Sequence, residues 1–168
     1  MEIWDLYNEN REIIGEHISD EKLPDNAFHL VVHVWIKNED GKYLISQRNF
    51  TRPTNPLMWE CVGGSILKSE NSLQGAKREV MEEVGVNLSN IEGKLVFSKI
   101  RKIESGEIFN DILDVWLFKY NGKIPLEEAT TDEVLQSKWL YVQEIRDLYE
   151  SGRLVPSLYY FFDKVANI

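Results

Sequence analysis

The segment from Asn71 to Gly85 constrains this chain most, because it encodes the start, the period and the stop of one helix. Asn71 can accept a hydrogen bond from the first free N–H groups of a helix, and Gln74 three residues on completes a capping box. Leu73, Ala76, Val80 and Val84 recur at spacings of three and four and form one apolar stripe. Gly85 follows, the residue that most readily takes the left-handed conformation after a helix. Such a stripe has to be buried against something, and the rest of the sequence supplies strands. Residues 29–37 are rich in Val and Ile and read as a buried strand, turning at Asn38-Glu39-Asp40-Gly41 into a second strand, 42–47. Residues 58–63, 95–102, 108–120 and 137–141 read as further strands, and 3–7 with 11–17 as an N-terminal hairpin. Helical segments at 142–151 and 156–166 close the chain. The fold class this implies is α/β, a sandwich with a mixed central sheet and an N-terminal β-hairpin.

The 168 residues suffice for one domain with one substantial core, and 43% of them are hydrophobic. Within a single domain of 1–168, residues 1–26 read as hairpin and loop, 27–150 as the core, and 151–168 as a C-terminal helix. A net charge of -9 argues against a nucleic-acid partner, which requires clustered Lys and Arg. An acidic site still accepts a small phosphorylated substrate if divalent cations bridge the like charges. Cys61 is the only cysteine, so no intrachain disulfide forms. No apolar run reaches the ~20 residues of a membrane helix. The expectation is a cytoplasmic protein with no membrane partner.

Chemistry concentrates on the central helix. Glu79, Glu82 and Glu83 stand at i, i+3 and i+4, so they share one face. Packed like charges destabilise a helix by a few tenths of a kcal/mol per pair, about 0.2–0.5. Hard cations such as Mg²⁺ and Mn²⁺ reverse that cost, because they prefer oxygen ligands. Lying opposite the apolar stripe, these carboxylates are expected to point out of the core into a cleft. Arg78, four residues before Glu82, can orient its carboxylate. Upstream, Gly63-Gly64 allows a sharp backbone bend and an accessible carbonyl at the end of a strand.

In order, Gly64, Glu70, Arg78-Glu79, Glu82-Glu83 and Gly85, with aliphatic residues at Val80 and Val86, resemble the complete Nudix box. The resemblance implies a Nudix-type α/β/α sandwich and hydrolysis of a nucleoside diphosphate linked to another moiety. It implies water attack on phosphorus with Mg²⁺ or Mn²⁺ as cofactor, and a small-molecule nucleotide or other diphosphate as substrate. Glu79, Glu82, Glu83 and the Gly63 carbonyl would then hold metal, while Glu70 and Arg78 support the catalytic loop and helix. A carboxylate must accept the proton of the attacking water; Glu82 and Glu83 within the box, and Glu133 in the acidic loop, stand as candidates.

A second resemblance narrows the alternatives. Residues 29–33, 43–48 and 56–59 resemble isopentenyl-diphosphate isomerase, which shares the fold and moves a double bond. Its catalytic cysteine falls at Gly63 and its metal-binding histidine at Ser65, so both groups are missing here. Cys61 lies one strand period away. A binding-only domain is a third class, but such domains usually have eroded boxes. His29 and His33 face one side of their strand, either as a metal pair, for which a third ligand is missing, or for packing or hydrogen bonding. Arg48, after a strand, can meet substrate phosphates as a bidentate donor. The five tryptophans read as core rather than stacking platforms. The run Leu158-Tyr159-Tyr160-Phe161-Phe162 either covers the sheet or pairs two subunits as a homodimer.

Overall fold

A computed structural model describes residues 1–168. The N-terminal hairpin pairs β1 (Ile3–Tyr7) with β2 (Ile13–Ile18). Its second strand begins two residues later than expected. Arg11 takes a positive φ of 62° in the turn, and its side chain reaches away to Asp114.

β3 (His29–Lys37) is the axis of the domain and is buried along its length. Leu30, Val32, Val34 and Ile36 point to one face, Val31 and Trp35 to the other, so each face seeds its own core. A strand apolar on both faces belongs inside a sheet covered on both sides. β3 runs parallel to β8 (Glu107–Lys119), which in turn pairs antiparallel with β7 (Gly93–Glu104). The sheet is therefore mixed.

Beside β3 the sheet forks. β4 (Tyr43–Arg48) touches β3 only at the hairpin base, Lys37 opposite Tyr43, and then leaves it for β9 (Val134–Leu140) and β5 (Trp59–Glu60). The vacated flank of β3 is taken by β6 (Val62–Ser65), with Gly63 opposite His33 and Gly64 opposite Val32. This corrects the single strand expected over residues 58–63. The segment crosses the fork at Cys61, so its two ends bond to different strands.

α1 (Ser72–Val84) covers one face, with Ala76, Val80 and Val84 in its core. The capping box forms: Asn71 Oδ1 accepts the Gln74 N–H at 2.8 Å, and Gln74 Oε1 accepts the Asn71 N–H at 2.9 Å. Gly85 ends the helix at φ 75°.

The other face is covered by α2 (Val142–Glu150) and the segment after it. Residues 156–166 do not form the continuous helix expected from sequence. A 3₁₀ turn, Pro156–Leu158, precedes the short α3 (Phe161–Lys164). The break lets Leu158, Tyr160, Phe161 and Val165 all reach the core. Tyr160 hydrogen-bonds Trp35 and His33, while Phe161 sits edge-on to Tyr43. The aromatic run covers the sheet.

Candidate active site

Arg78 organises the exposed edge of α1. Its Nε and Nη2 donate to the two oxygens of Glu70 at 2.8 and 2.9 Å. Nη1 donates to Glu79 and to Glu82, both at 3.0 Å, and Nη2 also donates to the Ser65 carbonyl at 3.0 Å. A guanidinium has five N–H donors, and all five are used. Glu70 additionally accepts the Leu67 N–H at 3.1 Å, so the loop between β6 and α1 is pinned through one carboxylate. Glu70 and Arg78 thus tie that loop to α1.

Glu79 and Glu83 correct the expectation that all three helix carboxylates point into an open cleft. Glu79 is 6% exposed and Glu83 3%, whereas the side chain of Glu82 keeps 36% of its surface. The cause is the passage of Gly63-Gly64 across the helix. A Cβ at Gly64 would occupy the position of the Glu79 carboxyl, and one at Gly63 would lie 2.7 Å from the Val32 carbonyl oxygen. At position 64 only glycine lets the backbone and the Glu79 carboxylate come this close.

Burial has an electrostatic consequence. It pushes the Glu79 carboxyl up to about 8, with Arg78 opposing the rise and Glu82 adding to it. Glu83 is driven well above its ordinary value by burial, then by Glu60, Glu79 and Glu133. Its only hydrogen-bond donor is the Gly63 N–H at 3.1 Å. One guanidinium faces Glu70, Glu79 and Glu82, and Glu83 has no cationic partner. The carboxylates do not converge on a common point, because Arg78 draws Glu79 and Glu82 aside while Glu83 turns to Gly63. The donor set is nevertheless all oxygen, over-supplied with negative charge and partly desolvated. That chemistry fits a hard divalent cation.

At the fork of the sheet a cavity of about 90 Å³ opens onto Glu83, Gly63 and Gly64. His33, Arg48, Arg52 and Glu60 also line it, and Ser157 closes it from the C-terminal segment. Arg48 is buried here. Its Nη1 donates to Glu60 at 2.8 Å, its Nε to the Thr54 carbonyl at 2.9 Å and its Nη2 to Thr54 Oγ1 at 3.1 Å. Arg52, which sequence reasoning missed, pairs with Glu133 at 3.1 Å. Its position in a proline-containing loop gave no periodic signal. Glu133 follows a loop latched to α1: the N–H groups of Thr130 and Thr131 donate to the Glu82 carbonyl at 2.9 and 3.2 Å, joined by the Thr131 hydroxyl at 3.2 Å.

The histidines make hydrogen bonds. His29 Nδ1 contacts Ser65 Oγ at 3.2 Å under a stacked Trp4 ring, and His33 bonds Tyr160. Cys61 is 3% exposed with its thiol driven well above the ordinary range by burial, so it stays protonated and shielded. Trp35 and Trp59 are core residues, while Trp4, Trp116 and Trp139 are half-buried.

The sequence matches the NUDIX domain family over residues 27–164. It is 36% identical, over 100% of its own length and 95% of the relative's, to a Listeria monocytogenes protein described as an uncharacterised Nudix hydrolase. In fold it resembles a Deinococcus radiodurans protein (TM-score 0.73, 18% identity, 92% of each chain). It also resembles a MutT protein from Methanosarcina mazei (TM-score 0.65, 22% identity, 81% of this chain and 91% of the other). No helix is long and apolar enough to cross a membrane. On the matched family, the full-length relative and the box assembled around Arg78, the chain belongs to the Nudix family of pyrophosphohydrolases.

Proposed function

We propose that this protein hydrolyses a nucleoside diphosphate linked to another moiety, with Mg²⁺ or Mn²⁺ held by Glu79, Glu82, Glu83 and the Gly63 carbonyl. The observation that carries this reading is the excess of buried carboxylate on α1 beside the Gly63-Gly64 backbone. When bound, the cation neutralises the diphosphate, polarises phosphorus and lowers the pKa of the attacking water.

The residues of the chain have distinct tasks. Arg78 and Glu70 fix the spacing between the β6 loop and α1, so the backbone that carries the ligating groups is set before substrate arrives. Glu83 stands at the cavity, and Glu79 lies under the adjoining glycine. Arg48 faces the same cavity from the β4 side, where it meets substrate phosphates in competition with Glu60. Burial by the C-terminal segment limits water to the reacting side.

A panel of nucleotide sugars, dinucleotides, NADH, ADP-ribose, nucleoside triphosphates and isopentenyl diphosphate, incubated with protein and Mg²⁺, tests the reading. Metal-dependent release of a phosphorylated fragment from at least one nucleotide supports it. Double-bond migration in isopentenyl diphosphate with every nucleotide left intact overturns it. So does tight nucleotide binding with no cleavage by fresh, metal-loaded protein.

A further inference from the structure

Three side chains on the face of the sheet away from α1 form a one-way hydrogen-bond relay. Trp35 Nε1 contacts Tyr160 Oη at 3.0 Å, and that oxygen lies 2.8 Å from His33 Nδ1. An indole N–H can only donate, so Tyr160 accepts from Trp35. Tyr160 is 4% exposed, and the one acceptor within reach of its own O–H is His33 Nδ1. Leaving that buried O–H without an acceptor would cost about 1–3 kcal/mol. Nδ1 is therefore the acceptor nitrogen of His33, and the ring proton resides on Nε2.

The direction of that proton matters because of where the ring lies. His33 is opposite Gly63 in the β3–β6 ladder. Its Cδ2, the ring carbon bonded to Nε2, would sit 3.2 Å from a Cβ at Gly63. The Nε2 edge thus lies over the glycine, on the wall of the cavity shared with Glu83 and Gly64. Nε2 has no protein partner. A side chain at position 63 would push this edge away, so Gly63 makes room for the histidine as Gly64 makes room for Glu79.

We propose that His33 donates its Nε2–H to a phosphate oxygen of the bound diphosphate, as a fixed neutral donor whose proton is placed by Tyr160. This rests on reading the cavity as the diphosphate site. A neutral donor recognises a phosphate oxygen without repelling the cation that neighbouring carboxylates hold, which a lysine or arginine at this position would do.

Imidazole two-bond ¹H–¹⁵N spectra test the assignment, with Mg²⁺ and the non-hydrolysable probe methylenediphosphonate. The chain has three histidines, and a His33→Gln variant identifies the signal. His33 is expected to carry its proton on Nε2 in the free protein, and that nitrogen should shift together with the Gly63 and Gly64 amides when the probe is added. In calorimetry, His33→Leu should weaken probe binding by about ten- to a hundredfold, the range for a hydrogen bond to a charged group. His33→Gln, which keeps an N–H at a similar reach, should recover affinity to within about threefold. A proton on Nδ1 overturns the proposal. So does movement of the glycine amides with Nε2 unmoved, or a glutamine variant as weak as the leucine variant. If neither the glycine amides nor Nε2 respond, the diphosphate reading of the cavity fails, and the role of His33 with it.

Discussion

Arg101 and Arg78 each meet buried carboxylate, and the two encounters end differently. On β7, Arg101 donates through Nε and Nη2 to the two oxygens of Asp111 at 2.8 and 2.7 Å, and both residues are 2% exposed. Its guanidinium also lies 4.0 Å from the centre of the Phe109 ring. One cation cancels one anion, and the pair joins neighbouring strands. On α1, a single guanidinium serves Glu70, Glu79 and Glu82, with Glu83 left over. Charge balance separates the two: a closed pair holds strands together, while an excess of buried carboxylate is relieved by taking up protons or a further cation. Buried ion pairs contribute little net stability, but breaking one is costly.

The largest effect expected from this contrast is on turnover. Glu83→Gln or Glu82→Gln should reduce kcat by at least about a thousandfold, on the order of 4 kcal/mol of transition-state stabilisation. The metal-free melting temperature should hold or rise, most clearly for Glu83, whose charge has no counter-ion to lose. A variant that melts well below the parent while keeping its turnover would make these glutamates structural.

Asp111→Ala should show the opposite profile. It strands Arg101 as a buried unpaired charge and is expected to cost about 3–5 kcal/mol in chemical denaturation. Activity per folded molecule should stay within a few-fold of the parent, because Asp111 lies outside the cavity.

Arg78→Ala falls between them. It removes five hydrogen bonds and leaves Glu70, Glu79 and Glu82 without their shared donor, so stability should fall by about 1–3 kcal/mol. Metal affinity should fall about ten- to a hundredfold as the ligands lose orientation. If calorimetry with Mn²⁺ shows unchanged affinity, Arg78 has no part in positioning ligands.

The smallest effect is a pH slope. The carboxyl of Glu79 titrates near 8 in the folded protein, against an ordinary value of 4.5. A raised folded-state value means that the folded protein holds the proton more tightly than the unfolded chain. The stability this contributes is fully present below 4.5 and is lost as pH rises through 8. Metal-free protein should therefore melt progressively lower from pH 5 to pH 8. Glu79→Gln should flatten that slope, and so should saturating Mg²⁺. A slope unchanged in the variant would place its origin elsewhere.

Local features were the most legible in sequence. The capping box and Gly85 are set by residues within a few positions of each other, and the α1 stripe is set by helical period. The hidden features depend on distant chain segments. Nothing around Glu79 or Glu83 announces their burial, which comes from Gly63-Gly64 passing over the helix. β7 runs longer than expected because β8 pairs with it out to Glu104. The C-terminal helix breaks because Tyr160 and Phe161 both have partners in the central sheet beneath them. The match to the family could be read directly from spacing, while the occupants of the cleft could not. Arg52 enters it through a loop, and Arg48, visible as a candidate phosphate donor, arrives already paired with Glu60.

The latch between the acidic loop and α1 has an evolutionary consequence. Thr130 and Thr131 attach to the carbonyl of Glu82, a group that every amino acid at that position would provide. The anchor is consequently indifferent to mutation of the side chain it sits behind. The side chains of Asp132 and Glu133 take no part in the anchor, so replacing them leaves the loop in its place. A lineage can vary that loop without first losing the address at which it docks.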